Sequence, residues 1–143
     1  KTMIISTGKE SSNNTLSKSL SSLWNCSDAI RNDGLAILLA ECKLGIGSDG
    51  IQSFIDGRIN LDYLKKPSQY IDNMENLLYI TEIQKKFQIG LLSILPTHYT
   101  KKLNMISFNG VKQAMDYVLK NQSQKQKVEV ISDGARTILR QNS

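Results

Sequence analysis

The feature that most constrains this chain is an unbroken apolar run, Leu-Ala-Ile-Leu-Leu-Ala at residues 35–40, with glycines soon after it. The run is too short to cross a membrane as a helix and is typical of a strand buried on both faces. Gly45 and Gly47 then interrupt the pattern, and Ser48 and Asp49 are residues that favour the start of a helix. The stretch therefore predicts a buried strand, a glycine bend and a helix. Ligands of parallel sheets collect at bends of this kind.

The rest of the chain repeats this alternation of apolar strands and amphipathic helices. Further strands are predicted at residues 3–6, 91–95, 104–108 and 128–131. Helices are predicted at residues 16–30, 48–56, 73–88 and 111–119, with one helical turn at 60–64. A polar loop is predicted at residues 97–102, a polar linker at 121–127, and an element of open type at 135–140. This order indicates a three-layer α/β fold, with a mainly parallel sheet of four or five strands and helices on both faces.

Composition limits the classes of partner. A chain of 143 residues has the size of one domain, which we expect to span 1–143. The net charge of +5 permits anionic partners, but the lysines are scattered in pairs with no aromatic ladder beside them, so nucleic-acid binding is not predicted. No membrane-spanning run or signal peptide is found. Cys26 and Cys42 form no CxxC motif, which indicates structural thiols and a cytoplasmic protein.

The glycines after the central strand match a nucleotide-binding pattern only in part. Gly45, Gly47 and Gly50 fit G-x-G-x-x-G, in which backbone amides at a helix N-terminus hold a pyrophosphate. Two extra residues lengthen the turn before the first glycine, and no strand with a terminal acidic residue follows at the required distance. Two alternatives stay open: a tight turn without a ligand, and capture of a small anion by the amides near Gly47 and Ser48.

Other side chains with useful chemistry are few. His98 is the single histidine and has no partner in the sequence, so a loop residue is favoured over a base or a metal ligand. No metal site is predicted within the chain, because one histidine and two distant cysteines are not a ligand set. Glu41 ends a core strand and would need a partner if buried, for which Lys43 or Arg136 could serve. If the sheet is parallel, one rim would gather Glu41, Lys43, Ser48, His98, Lys101 and Arg136.

Two stretches resemble motifs of the C-terminal domain of the nickel-dependent lactate racemase family. Residues 40–48 read Ala-Glu-Cys-Lys-Leu-Gly-Ile-Gly-Ser, close to that family's A-E-C-x-x-G-[IH]-G, and residues 128–134 fit its V-x-V-x-x-D-G turn. The resemblance spans nearly the whole chain. It implies the substrate-cleft domain of a hydroxy-acid racemase or epimerase, inactive alone, that closes against a missing N-terminal catalytic domain. It also implies that any nickel-pincer nucleotide is held by that other domain, with no cofactor bound by this chain.

One family motif is altered here. In the family, a Tyr, a Gln and a Lys after the first strand face the substrate, whereas this chain has Ser17, Lys18 and Ser21 at those positions. The change argues against lactate racemisation as such and leaves Lys18 as a candidate for a related role. The predicted binding set for a small hydroxy-acid-like anion comprises Glu41, Lys43, Gly45, Gly47, Ser48 and Lys18. The alternative is a non-catalytic anion-binding or regulatory module on the same scaffold.

Overall fold

The computed structural model describes residues 2–121 and 127–140. Within these ranges the strands are β1 (Thr2–Ser6), β2 (Leu35–Leu39), β3 (Gln88–Leu92), β4 (Ile106–Phe108) and β5 (Val128–Ile131). The helices are α1 (Glu10–Asn13), α2 (Leu16–Cys26), α3 (Asp49–Ile55), α4 (Leu61–Lys65), α5 (Met74–Ile83), α6 (Thr97–Lys102) and α7 (Val111–Asn121), and a 3₁₀ turn at Ser27–Ala29 extends α2. The strands form one parallel sheet in the order β4-β3-β2-β1-β5. The predicted α/β fold, with its parallel sheet and helices on both faces, is confirmed.

The central strand β2 and the first long helix α2 form where the apolar residues have the burial and spacing expected of a strand and of a helix. In β2 the first four residues are buried, as expected for a strand that is covered on both faces. In α2, Leu16, Leu20 and Leu23 recur at helical spacing and are fully buried. The hydroxyl of Thr15 caps α2 by accepting a hydrogen bond from the backbone N–H of Lys18.

The two faces of the sheet are covered unequally. One face carries the larger core, to which α2, α3 and α5 contribute buried residues. The smaller core on the other face receives its buried helical residues, Ala114 and Val118, from α7. The strand order explains this division. Parallel crossovers are right-handed, so the steps from β1 to β4 in one direction leave their helices on one face. The step back from β4 to β5 then places α7 on the opposite face.

Several local predictions are wrong, and packing explains the clearest case. The helix predicted at 73–88 ends at Ile83, and the strand predicted at 91–95 lies at Gln88–Leu92 instead. Gly90 is therefore inside β3 and is not a helix stop. A Cβ atom at Gly90 would lie 2.6 Å from the Phe108 ring, so this glycine makes room for β4.

Four further stretches remain: two differ from the prediction, one was left open by it, and one falls mostly outside the described residues. The loop predicted at 97–102 is the short helix α6, and the helix predicted at 16–30 is α-helical only to Cys26. Residues 135–140 form neither helix nor strand and run beside α2, where the Leu139 N–H donates to the Asn25 carbonyl. The predicted linker at 121–127 falls mostly outside the described residues. No helix in the described part of the chain is long and apolar enough to cross a membrane.

Candidate functional site

The bend after β2, residues 41–48 (the β2 bend), is clamped to the segment that leads into α2. The clamp consists of four backbone hydrogen bonds: Cys42 N to Asn13 O at 2.8 Å, Leu44 N to Asn14 O at 2.8 Å, Leu16 N to Gly45 O at 3.0 Å and Ser17 N to Ile46 O at 3.0 Å. The hydroxyl of Ser17 adds a fifth bond to the carbonyl of Gly47 at 3.1 Å. Because β1 and β2 are parallel neighbours, both halves of the clamp lie at the carboxyl-end rim of the sheet.

This clamp closes the N-terminus of α2. The first N–H groups of a helix have no partner within the helix and often bind anions. Here the first two donate to the β2 bend, the N–H of Lys18 donates to the Thr15 hydroxyl, and the N–H of Ser19 donates to the Thr15 carbonyl. The amides that begin α2 are therefore occupied and do not provide an anion site.

The glycines of the G-x-G-x-x-G pattern have steric roles in the structure. Gly47 has a φ of +73°, and a Cβ atom there would lie 2.5 Å from the Thr15 Cβ. A Cβ atom at Gly50 would overlap the carbonyl oxygen of Asp72. Gly45, with a φ of +85°, faces open space. Two of the three glycines are thus needed for close packing, without reference to a ligand.

Cys42 is buried at the start of the bend and is chemically inert. Its φ of +56° lies in the left-handed region that residues with a Cβ rarely adopt. Burial raises the pKa of its thiol to about 11; the nearby charge of Glu41 also raises it, and a hydrogen bond to Ser19 lowers it. The thiol is therefore protonated at neutral pH, whereas a reactive cysteine would be present as the thiolate at that pH.

Of the remaining predicted site residues, Ser48 has its hydroxyl engaged in hydrogen bonds, and the other three have exposed side chains. The Ser48 hydroxyl caps α3 by accepting from the Ile51 N–H and donates to the Asp72 carboxylate at 2.9 Å. The side chains of Lys18, Glu41 and Lys43 are exposed, and within the described residues no hydrogen bond or ion pair engages them. The structure thus places two unpaired cations and one carboxylate around the clamp.

Other residues expected at this rim do not join the β2 bend. His98 is exposed and packs edge-on against Tyr99, with ring centroids 4.4 Å apart. The Nε atom of Arg136 lies 3.7 Å from the Oδ2 atom of Asp133. The acidic partner of Arg136 is therefore Asp133 and not Glu41. Glu41 needs no partner because it is exposed.

The structure reveals a polar region that the sequence pattern did not indicate. The strand order reverses between β1 and β5, and ligand crevices of parallel sheets lie at such reversals. The loops after these strands approach closely, since a Cβ atom at Gly8 would lie 2.5 Å from the Asp133 carboxylate. In the loop after β1, the side-chain oxygens of Asn13 and Asn14 are buried and accept no hydrogen bond from the described residues. Strand order cannot be read from local sequence, so no sequence signal marked this region.

This chain resembles a solved structure over nearly its whole length. The lactate racemase apoprotein from Thermoanaerobacterium thermosaccharolyticum matches 98% of this chain with a TM-score of 0.80. The chain has the fold of one part of a lactate racemase. The sequence identity is 19%, and the match covers 35% of the racemase chain. No protein-family model matches this sequence, and a comparison with the sequences of curated proteins finds no match. The lactate-racemase-like fold expected from the motifs is confirmed.

The donor atoms of residues 2–121 and 127–140 do not form a site for a nickel ion. Among the described residues, no three His, Cys, Asp or Glu side chains are grouped so that they could hold a metal ion. Cys26 and Cys42 are buried free thiols, and burial also raises the pKa of Cys26, whose thiol points to the Thr137 carbonyl. We therefore assign no chemical step to a metal held by these residues.

Proposed function

We propose that residues 1–143 form the substrate-cleft domain of a lactate-racemase-like protein, at the C-terminal end of a longer polypeptide. The fold match carries this proposal, because it includes 98% of this chain but only 35% of the racemase. The catalytic groups, and any nickel-pincer nucleotide, would then belong to an N-terminal domain. The reaction class would be racemisation or epimerisation of a hydroxy acid, and this chain alone would be inactive. With both thiols free, we place the protein in the cytoplasm.

The ligand that suits the clamp is a small hydroxy-acid-like anion. The exposed ammonium groups of Lys18 and Lys43 can pair with a carboxylate. The orphaned amide oxygens of Asn13 and Asn14 are acceptors, and the hydroxyl of a 2-hydroxy acid is a matching donor. Both oxygens are closed to solvent, so a ligand hydroxyl would reach them only after this segment moves, and pairing them would recover about 1–3 kcal/mol, the usual cost of a buried acceptor without a partner.

The other predicted residues would shape this site. Gly45 carries no side chain and faces open space, so a ligand can approach the backbone of the bend there, whereas Gly47 makes room for Thr15 and would keep the bend packed against the start of α2. Ser48 fixes the start of α3 through Asp72 and would keep the bend in place. The carboxylate of Glu41 is a second acceptor for a ligand hydroxyl. The domain would contribute orientation and exclusion of water when the other domain closes over it.

Titration with lactate tests the site directly. We expect D- or L-lactate to shift the backbone NMR signals of residues 13–18 and 41–48, and propionate, which lacks the hydroxyl, to shift them less. Lys18→Gln and Lys43→Gln should each weaken binding about fivefold, the effect expected for one exposed charge-assisted contact. Lys86→Gln, an exposed lysine that precedes β3, is the matched control and should bind as the parent chain does. Equal effects of all three variants, or no shifts at the clamp, would exclude this site.

A second candidate is a non-catalytic anion-binding or regulatory module. One observation favours it: the serines at the family's substrate positions donate their hydroxyl hydrogen bonds to backbone carbonyls. Ser17 donates to the carbonyl of Gly47, and Ser21 donates to the carbonyl of Lys18. The natural full-length protein, purified with its maturation partners, distinguishes the two. Bound nickel and a cluster of His and Lys residues upstream support the racemase-like proposal. Metal-free protein that still functions in its host supports the module.

A further inference from the structure

The sheet face that carries α7 is only partly covered. Five strands at the usual spacing extend about 19 Å between the outermost strands, whereas one helix is about 10 Å wide. Of the described helices, α7 is the one that contributes buried residues to this face. Parallel sheets are normally covered on both faces, so about half of this face lacks the expected cover from residues 2–121 and 127–140.

Apolar side chains that are exposed or half-buried lie on the uncovered half. We call them the open strip: Val130 on the sheet and Val111 and Leu119 on α7 are exposed, and Ile4, Val128 and Met115 are half-buried. Val130 is 67% exposed, Val111 64% and Leu119 54%. Val130 is paired with Ile4 in parallel register, so both side chains lie on the α7 face. This is more apolar exposure in one place than scattered surface residues would give.

Helix geometry shows that the two parts of the open strip face each other. Tyr117 packs edge-on against Phe108 of β4, with ring centroids 5.5 Å apart, and so marks the flank of α7 that faces β3 and β4. At about 100° per residue, Val111, Met115 and Leu119 project from the opposite flank, above β1 and β5. The open strip is therefore an apolar groove, with α7 as its wall and β1 and β5 as its floor.

We propose that the open strip is the docking surface for an amphipathic helix of the same polypeptide, from outside residues 1–143. This rests on the proposed function, in which the chain is part of a longer protein. The matched racemase has roughly two thirds of its length outside the matched part, so there is polypeptide to supply such a helix. The part of the sheet that α7 leaves uncovered is about 9 Å wide, close to the width of one helix. Its aliphatic side chains fit the apolar face of an amphipathic helix.

Hydrogen exchange on the natural full-length protein tests the proposal. Compared with the 143-residue chain, we expect the amides of residues 111–119 and 128–131 to exchange at least about tenfold more slowly when the helix is docked. Val130→Asp in the full-length protein should return these amides to the rates of the shorter chain. Ile138→Asp is the matched control, because Ile138 is 68% exposed but lies in the segment that runs beside α2. It should leave the exchange rates unchanged.

Three results would overturn the proposal. They are equal exchange rates in the two proteins, a natural polypeptide with no residues outside 1–143, and a dimer of the 143-residue chain that Val130→Asp converts to a monomer. The last would show that a second copy is the occupant. Because the lactate titration probes the clamp and is done on the 143-residue chain, its outcome is independent of the open strip. Failure of one proposal can therefore be told from failure of the other.

Discussion

Gly47→Ala is the sharpest test of how the β2 bend is held. The substitution has two costs. An alanine at a φ of +73° loses about 1–2 kcal/mol, because its Cβ crowds the carbonyl in the left-handed region. The new Cβ would also lie 2.5 Å from Thr15 Cβ and 2.6 Å from its Oγ1, an overpacking that costs about 1–3 kcal/mol. We expect a total loss of about 2–5 kcal/mol in the free energy of unfolding.

Two other glycines supply the control for the cost of placing alanine in the left-handed backbone conformation. Gly45 and Gly57 have φ values of +85° and +77°, and neither has any atom within 4 Å of a Cβ placed there. Their alanine variants should lose only the conformational term of about 1–2 kcal/mol. The difference of about 2 kcal/mol isolates the clash, and it corresponds to about 6 °C in the unfolding temperature for a domain of this size.

A double-mutant cycle identifies the partner. Thr15→Gly removes the atoms in the way, and glycine as a helix cap costs only a few tenths of a kcal/mol. In that background Gly47→Ala should cost no more than Gly45→Ala, a coupling of about 2 kcal/mol. Urea unfolding followed by circular dichroism measures all the variants. Equal costs at Gly45 and Gly47, or no coupling with Thr15, would refute the packing that we describe.

Three further substitutions probe the fold, each by urea unfolding. Gly90→Ala should cost about 1–3 kcal/mol, because its Cβ would lie 2.6 Å from the Phe108 ring, and Phe108→Leu should recover part of that loss. Ser48→Ala should lower the free energy of unfolding by about 1–2 kcal/mol, because it removes the cap of α3 and the hydrogen bond to Asp72. Ser48→Thr keeps the hydroxyl and should retain most of the stability. The Cys42 pKa of about 11 lies above that of an unfolded thiol, so its contribution to stability is complete below about pH 8.5 and is lost as pH rises through 11. Cys42→Ala should lack this loss, and a parent protein with the same pH profile as the variant would contradict it.

The element types were predictable where the pattern is long. The stripe of α7 and the apolar run of β2 each specify one structure, because their periodicity repeats over several residues. The prediction was wrong in stretches that are short or that contain a glycine. Residues 97–102 make a helix of barely two turns, too short for a periodic signal, and Gly90 resembled a helix stop although it sits inside β3. The ligand role of the six predicted site residues stays a prediction.

By itself, the sequence determined the alternation of strands and helices and the glycine bend after β2, because these depend on local apolar spacing and on backbone freedom at glycine. Tertiary structure decided what the bend touches. Thr15 occupies the space beside Gly47, Asp72 engages Ser48, and the clamp consumes the amides that begin α2. It also decided that β5 returns beside β1, which leaves α7 to cover the second face. These contacts join residues far apart in the chain, and the energies that select them arise only when the strands have been ordered and packed.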